Sequence, residues 1–548
     1  MTNTLYYGDN LPILRAMPSE TVDLIYLDPP FNSNRSYNVL FKNESGVSSD
    51  AQITAFDDTW HWGRSAEEAY TDLIRMNPGV VDDMVGALRK IIGENQMMAY
   101  LVMMAARLVE MQRVLKPKGS LYLHCDPTAS HYLKIILDTV FSPENFRNEI
   151  VWKRQSAHSD AKNKYSDVTD TILFYVKSNN AYFTPQYGEH DPEYVRKFYR
   201  FNDHDGRGPY RMSDIASPNP RPNMMYEWMG FAYPQKGWRF QRATMQKLHD
   251  DGRIYYPRNK DGSLDISKRP AVKRYLIEQE GSIITNAWLD INPLHSSDAE
   301  RLGYPTQKPL TLLERIIRAS SNPGDIVLDP FCGCGTAIAA AEKLGRQWIG
   351  IDITYLSINL IENRMKRMFP GIRFEVVGKP RDLASARNLA ERDRYQFQWW
   401  ALSLIGAKPL GGTELGGKGK KGSDKGIDGV INYIDSPKQE LKRVLVQVKS
   451  GHVNAATIRD LRGVLQREEV EIGVLISLEQ PTRDMNTEAS TAGLYPSEFW
   501  GKSFPRVQIL TIEQLLAGAM VLMPPETGTF LAAQKARKKE GEQGEMGI

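Results

Sequence analysis

The stretch Ile326-Val327-Leu328-Asp329-Pro330-Phe331-Cys332-Gly333-Cys334-Gly335-Thr336 decides the fold. Its first three residues are a short apolar run of strand character, the small residues after them form a tight loop, and Ala337 to Leu344 continues at helical spacing. The next apolar run, Trp348 to Ile351, closes on Asp352. Strand, tight loop, helix and strand in that order predict a parallel α/β unit whose sheet is covered by helices. Small residues at a strand-to-helix turn let a ligand approach the backbone, and an acid at the end of the following strand can grip both hydroxyls of a ribose. This arrangement suits an adenosine-containing cofactor. The loop lacks the full G-x-G-x-x-G spacing, which leaves a dinucleotide poorly supported, and a purely structural turn is the alternative reading.

Working outward, the same texture marks the start of the chain. Thr4 to Tyr7 ends in Gly8-Asp9-Asn10, and the continuous apolar run Val22 to Leu27 is closed by Asp28-Pro29-Pro30-Phe31. A helix from about Asn95 to Val114 leads through Lys116-Pro117-Lys118-Gly119 into a strand over Ser120 to Cys125, and Leu310 to Ser320 reads as a further helix. Between them, from about Thr184 to Leu294, periodicity is poor and Pro, Gly, Arg and aromatic residues crowd together. One α/β domain, residues 1–183 and 295–378, thus encloses an irregular insertion, 184–294. A charged, Gly-rich junction near Lys379 precedes a separate C-terminal domain, 379–531, with strands at Val444 to Val448 and Ile472 to Ser477 and a helix at Ala455 to Glu468. Residues 532–548 are dominated by charged and small residues with few large apolar side chains and are expected to be disordered.

With 548 residues, 69 Lys+Arg against 66 Asp+Glu, 41% hydrophobic and 25% charged residues, the chain has ordinary globular composition, which excludes collagenous, disordered and membrane-embedded classes. The most apolar stretch, Ala99 to Met111, is interrupted by Arg107 and Glu110, and no signal peptide or membrane span is expected. Three cysteines, Cys125, Cys332 and Cys334, lack disulfide or zinc spacing, so a reducing, cytoplasmic setting without structural zinc is expected. The net charge of +3 neither demands nor excludes nucleic acid.

Asp28-Pro29-Pro30-Phe31 follows a buried strand, and its prolines hold the backbone extended. A carboxylate and a proline carbonyl there can both accept hydrogen bonds from one amino group, while the aromatic ring can stack on a base. A turn with a helix-capping Asp is the plain alternative. Taken with the Gly-rich loop, this tetrapeptide resembles the S-adenosylmethionine-dependent amino-methyltransferases of DNA, in the β-class order that puts the catalytic tetrapeptide first. Thr306-Gln307-Lys308-Pro309-Leu310 and Gly8-Asp9-Asn10 match two further motifs of that class, and the resemblance covers roughly residues 1 to 370.

The resemblance implies a Rossmann-like sheet and double-stranded DNA as partner. It also implies a base flipped from the duplex, whose exocyclic nitrogen attacks the methyl sulfonium directly. Asp28 and the carbonyl of Pro29 would accept the amino hydrogens, Pro30 would hold the turn, and Phe31 would stack on the base. Asp9, Asn10, Gln307, Lys308, Asp329, Phe331, Gly333, Gly335, Thr336 and Asp352 would form the cofactor site. An Asp in first position resembles N6-adenine enzymes, with N4-cytosine the alternative. Cys332 and Cys334 are read as small loop residues.

The insertion carries Arg196, Lys197, Arg200, Arg207, Arg211, Arg221, Lys236, Arg239 and Arg242 among many rings, a mixture suited to phosphate contact and base stacking, and it occupies the recognition slot of the class. In the C-terminal domain, Asp428 precedes Gln447-Val448-Lys449 by about twenty residues. Asp428 and Gln447 are expected to hold Mg²⁺ and Lys449 to orient water, in a pattern that resembles the Mrr-like branch of restriction endonucleases with Gln447 in place of the usual acid. A DNA-cleaving domain is therefore expected, with a non-cleaving DNA-binding module as the alternative. Gly412 to Gly419 comes near a phosphate loop, but Gly419 stands where a Ser or Thr would bind magnesium, so a flexible basic loop is expected. A homodimer, or a complex with other restriction-modification or defence subunits, is compatible with this reading. The separate positions of the two motif sets predict that methyl transfer survives in residues 1 to about 378 alone.

Overall fold

A computed structural model describes residues 2–30, 62–77, 79–155, 163, 165–295, 298–302, 304, 307–409, 426–436 and 441–525 of the protein. Phe31, Thr306, the 412–419 loop and the 532–548 tail lie outside the described residues.

Among the described residues the main sheet has nine strands. Six run parallel in the spatial order Leu115–Cys125, Val22–Leu27, Ile326–Asp329, Gln347–Asp352, Thr4–Tyr7 and Glu375–Val377. Beyond Leu115–Cys125 the sheet continues through Thr169–Val176 and Phe146–Lys153, both paired antiparallel, and ends on the short strand Ala287–Trp288. The two halves of the sequence meet in the middle, where Leu24 lies beside Val327 and Ile25 beside Leu328. Carboxyl ends of parallel strands from both halves therefore open on one edge of the sheet, the place where open α/β sheets bind ligands.

These strands read as apolar runs because both faces are covered. Ile25, Leu27, Leu121 and Leu123 pack with Leu101, Leu108, Leu133 and Leu137 of the helices Gln96–Val114 and Pro127–Phe141. The alternate residues Leu24, Tyr26 and Tyr122 are also buried, and Tyr122 bonds Ser320 of the Leu310–Ser320 helix at 2.7 Å. The strand expected from Ser120 begins at Leu115 instead. Its register against the neighbouring strand jumps from Val22 beside Leu115 to Leu24 beside Ser120, so Lys116-Pro117-Lys118-Gly119 is an excursion within the strand.

Two compact units emerge, residues 185–285 and the remainder. The smaller one is built on an antiparallel sheet of Tyr210–Asp214, Ala271–Tyr275 and Ile254–Tyr255, with a core of Ile215, Trp228, Phe231, Trp238, Met245 and Val272. The larger unit includes the C-terminal residues, whose five-stranded mixed sheet runs Lys408–Pro409, Gly429–Ile434, Leu441–Lys449, Ile472–Ser477 and Val507–Thr511. One face of that sheet is covered by the helices Leu383–Arg392 and Arg394–Leu404, the other by Ala455–Arg467 and Arg483–Ser490. Among the described residues no helix is long and apolar enough to cross a membrane.

The helix Thr336–Lys343 starts from Gly335, whose φ of +75° places it in the left-handed region. A Cβ there would lie 2.8 Å from Cγ1 of Ile361. Gly335→Ala combines backbone strain with a packing clash and should destabilise the chain by about 2 kcal/mol. A lowered thermal unfolding midpoint is the expected result, and a wild-type midpoint would show that the loop relaxes freely.

Candidate functional site

Four loops converge at the carboxyl edge of the main sheet. Asp329 is buried and accepts a hydrogen bond from the Phe331 amide at 3.1 Å, which folds the first turn of the Gly-rich loop. Gly333 donates its amide to Oδ2 of Asp352 at 2.9 Å, while Oδ1 of Asp352 accepts from the amide and hydroxyl of Thr354, both at 2.9 Å. Asp352 therefore braces the Gly-rich loop as well as closing its own strand. Burial pushes its carboxyl above the ordinary range, against the hydrogen bonds from Thr354 and Gly333 that lower it. Thr336 is buried, and its hydroxyl accepts from Arg364 at 3.1 Å, a guanidinium that also donates to the Cys334 carbonyl at 3.0 Å.

The N-terminal loop joins this framework through Asn10. Its side-chain amide donates to the Pro330 carbonyl at 2.7 Å, its oxygen accepts from Nε of Arg107 at 2.5 Å, and the Gly8 amide donates to the Asp352 carbonyl at 2.9 Å. Asp9 caps the helix Asn10–Ala16 through the Leu11 amide at 2.9 Å. The same oxygen accepts from Arg107 at 2.6 Å. Among the described residues no hydrogen bond reaches the other oxygen of Asp9, and its side chain is about half exposed at 47%.

Asp28, at the end of Val22–Leu27, is paired with Nζ of Lys308 at 2.5 Å. The two side chains are only 17% and 11% exposed, so little solvent screens them. That places Lys308 on the Asp28 carboxylate. Gln307 likewise has a local role, accepting from the Leu302 amide and donating to the Glu300 carbonyl, both at 2.8 Å. The polar ends of both residues, expected at the cofactor, thus have partners that the neighbouring fold supplies.

Behind Asp28 lies a buried polar chain. Tyr26 bonds Nδ1 of His124 at 3.0 Å, and Nε2 of His124 bonds Asp170 at 3.1 Å. Nε of Arg154 stands 3.2 Å from the second Asp170 oxygen, and the Asp170 carboxyl is held below the ordinary range by its His124 hydrogen bond and the nearby cations, despite burial. Arg107, Arg364 and His124 escaped the sequence reading. The signal for Arg107 was present as a charge interrupting an apolar helix face; neither Arg364 nor His124 belongs to a local motif.

The site fits an adenosine cofactor in its donor and acceptor set. It offers a Gly-rich turn whose Gly333 and Gly335 have positive φ, a carboxylate on the adjoining strand, and a half-exposed acid on a third loop.

The C-terminal set fits Mg²⁺ poorly. Oδ2 of Asp428 accepts from the Val448 amide at 2.6 Å and Oδ1 accepts from Gln398 at 2.9 Å. Gln447 is buried, and its Oε1 has no hydrogen-bond partner among the described residues. Lys449 follows it on the same strand. A carboxylate already bonded through both oxygens and one neutral amide make a weak cradle for a hard dication. Among the described residues no three His, Cys, Asp or Glu side chains gather as a metal site.

In the 185–285 unit some of the basic residues expected at DNA have partners within the unit. Arg207 pairs with Asp205 at 2.6 Å and lies over the Tyr275 ring, Arg242 lies over Tyr226, and Arg196 is within 3.5 Å of Glu193. The Trp228, Phe231 and Trp238 rings fill its core rather than a stacking surface.

Comparison with known proteins agrees with this geometry. The chain is 28% identical over 368 residues to the type II methyltransferase M.EcaI of Enterobacter cloacae, a match covering 66% of this chain and 69% of that protein. It is 25% identical to the Mod subunit of the type III restriction-modification enzyme StyLTI of Salmonella typhimurium, over 63% of this chain and 50% of the subunit. It is 26% identical to the DNA adenine methyltransferase YhdJ of Escherichia coli, over 65% and 81%. Residues 414–517 match a family described as NACHT-associated inactive Restriction Endonuclease 1. Residues 22–363, well over half the sequence, match the DNA methylase family, and the chain belongs to that family.

Proposed function

We propose that the protein transfers a methyl group from S-adenosylmethionine to the exocyclic N6 of adenine in double-stranded DNA. The observation that carries this reading is the placement of Asp28, held by Lys308 at the carboxyl edge where the loops of Asp9, Asp329 and Asp352 also end. The cofactor supplies an electrophilic methyl group. Asp352, the Gly-rich loop and the open oxygen of Asp9 bind and orient its adenosine portion. Asp28 offers Oδ1 to the target amino group, since among the described residues only Oδ2 is bonded, and the Pro29 carbonyl offers a second acceptor. Two acceptors on one amino group draw its hydrogens aside, localise the nitrogen lone pair and stabilise the positive charge that grows there. Asp28 also takes up the proton released from that nitrogen. The ion pair with Lys308 fixes the direction of the carboxylate before the base arrives, so little reorganisation is needed.

Adenine is favoured over cytosine by the acid in first position and by the likeness to YhdJ, whose name specifies adenine. The 185–285 unit serves as the target-recognition region through its outward basic residues, among them Arg200 and Arg239. The likeness to a Mod subunit supports work within a restriction-modification or defence system. For the C-terminal domain, the saturated Asp428 and the family description favour a non-cleaving module over a Mg²⁺-dependent nuclease.

Two outcomes follow. Asp28→Ala should lower single-turnover methyl transfer on the order of 100-fold or more while calorimetric affinity for S-adenosylmethionine stays near wild type; near-normal turnover would remove Asp28 from the mechanism. The second concerns Asp329, whose carboxyl is pushed well up by burial, with Asp28 and Asp352 adding repulsion. A folded-state value raised above the unfolded one contributes stability that is present at low pH and lost as pH rises through the folded value. Asp329→Asn should therefore raise the thermal midpoint at neutral pH, with the gain shrinking toward about pH 4, the unfolded aspartate range. A loss of stability at neutral pH would show instead that the ionised carboxylate is the form the fold prefers.

A further inference from the structure

The C-terminal domain is built into the cofactor edge of the main sheet. Tyr7, the last residue of Thr4–Tyr7, and Tyr355, three residues after Asp352, stack with ring centroids 3.7 Å apart and planes inclined at 27°. Tyr355 belongs to the same buried cluster as Phe397, Trp400 and Leu402, and Tyr7 and Leu356 pack against that cluster. The two strand ends that flank the cofactor side are therefore roofed by the helix Arg394–Leu404.

A hydrogen bond crosses from that helix to the acid loop. The Tyr355 amide donates to Oε1 of Gln396 at 3.0 Å. Tyr355 is the first residue of the helix Tyr355–Met368, capped by Thr354, and a first-turn amide has no acceptor within its own helix. Gln396 is 4% exposed, and its backbone N–H is capped by Asp393 at 3.0 Å, so the acceptor projects from a fixed point in the first turn of its helix. The chain of contacts is short: Gln396 fixes the Thr354–Tyr355 peptide, Thr354 bonds Oδ1 of Asp352, and Oδ2 of Asp352 bonds the Gly333 amide.

We propose that Gln396 is a positioning residue for the Asp352 loop, so that the C-terminal domain completes the methyltransferase's cofactor site. This rests on the assignment of Asp352 to the cofactor. It also replaces the expectation that residues 1 to about 378 work alone, because that truncation removes Gln396 and uncovers Tyr7, Tyr355 and Leu356.

The test uses the full chain. Gln396→Met keeps the length of the side chain and removes the acceptor; Gln396→Glu keeps an acceptor oxygen. Calorimetry should show S-adenosylmethionine binding weakened about 10-fold in Gln396→Met, the worth of one hydrogen bond left unmade at a buried amide, and largely restored in Gln396→Glu. At saturating cofactor the turnover of Gln396→Met should stay within about twofold of wild type, since an effect on cofactor placement raises KM rather than lowering kcat. Ser403→Ala, which loses only a hydroxyl bond to the Trp400 carbonyl within the same helix, serves as the stability control and should leave affinity unchanged. Unchanged affinity in Gln396→Met, or equal weakening in Ser403→Ala, overturns the proposal. If the Met variant does not fold, hydrogen exchange on the wild type decides: coupling is reciprocal, so S-adenosylmethionine should slow exchange in residues 394–404 as well as in 352–358. Protection confined to 352–358 contradicts the proposal, whereas a wild type that binds no S-adenosylmethionine contradicts the cofactor assignment beneath it.

Discussion

The pairing of Val22–Leu27 with Ile326–Asp329 is the constraint on which the rest depends. These strands come from opposite halves of the chain and lie side by side in the same direction, which brings their carboxyl ends together. Asp28 and Asp329 then stand on neighbouring strands in a buried setting, and the sheet must manage their mutual repulsion. It does so unequally. Burial drives the Asp329 carboxyl toward its neutral form, while Asp28 is given the ammonium of Lys308. One carboxylate stays directed and paired where chemistry is needed, and the other becomes a folding device that caps the turn at Phe331. Sequence order matters little in this arrangement, because the sheet re-joins what the intervening residues 185–285 separate.

A second consequence of the same edge is that its loops are bonded to one another before any ligand arrives. Asn10 reaches the Pro330 carbonyl, Gly8 the Asp352 carbonyl, and Asp352 the Gly333 amide. Two arginines, the partly buried Arg107 and the buried Arg364, hold the backs of these loops. Preorganisation of this kind lowers the ordering cost of binding. The C-terminal helix Arg394–Leu404 extends the same principle: on one turn Gln396 meets the Tyr355 amide and on the next face Gln398 meets Asp428. A residue set that resembles a nuclease centre is thus used, through Gln398, to fasten the helix that roofs the cofactor edge.

The strand-end motifs were legible in the sequence because strand burial and loop chemistry are local. The strand Ile326–Asp329, the turn at Gly333 and Gly335, and Asp352 at the end of its strand could all be read from hydrophobic runs and small residues. Partnerships between distant residues were not. Lys308 read as a cofactor residue by its motif, and only the fold shows it against Asp28; Arg107 read as a defect in an apolar stretch, and only the fold gives it Asp9 and Asn10. In the 185–285 unit, basic residues beside rings suggested stacking on nucleic acid, yet Trp228 and Trp238 are core and Arg207 is held by Asp205. Composition alone does not distinguish a ring that faces solvent from one that builds a small core. The packing of Tyr7 and Tyr355 with Trp400 was hidden for a similar reason, since it joins residues that no local pattern connects.

The central claim is that this edge carries out methyl transfer to an exocyclic amine of adenine. Digestion of duplex DNA to nucleosides after incubation with the full chain and isotopically labelled S-adenosylmethionine, followed by mass spectrometry, tests it most directly. The account predicts label in N6-methyladenine alone. Label in N4-methylcytosine, or in no nucleoside while the protein still binds the cofactor, would contradict it.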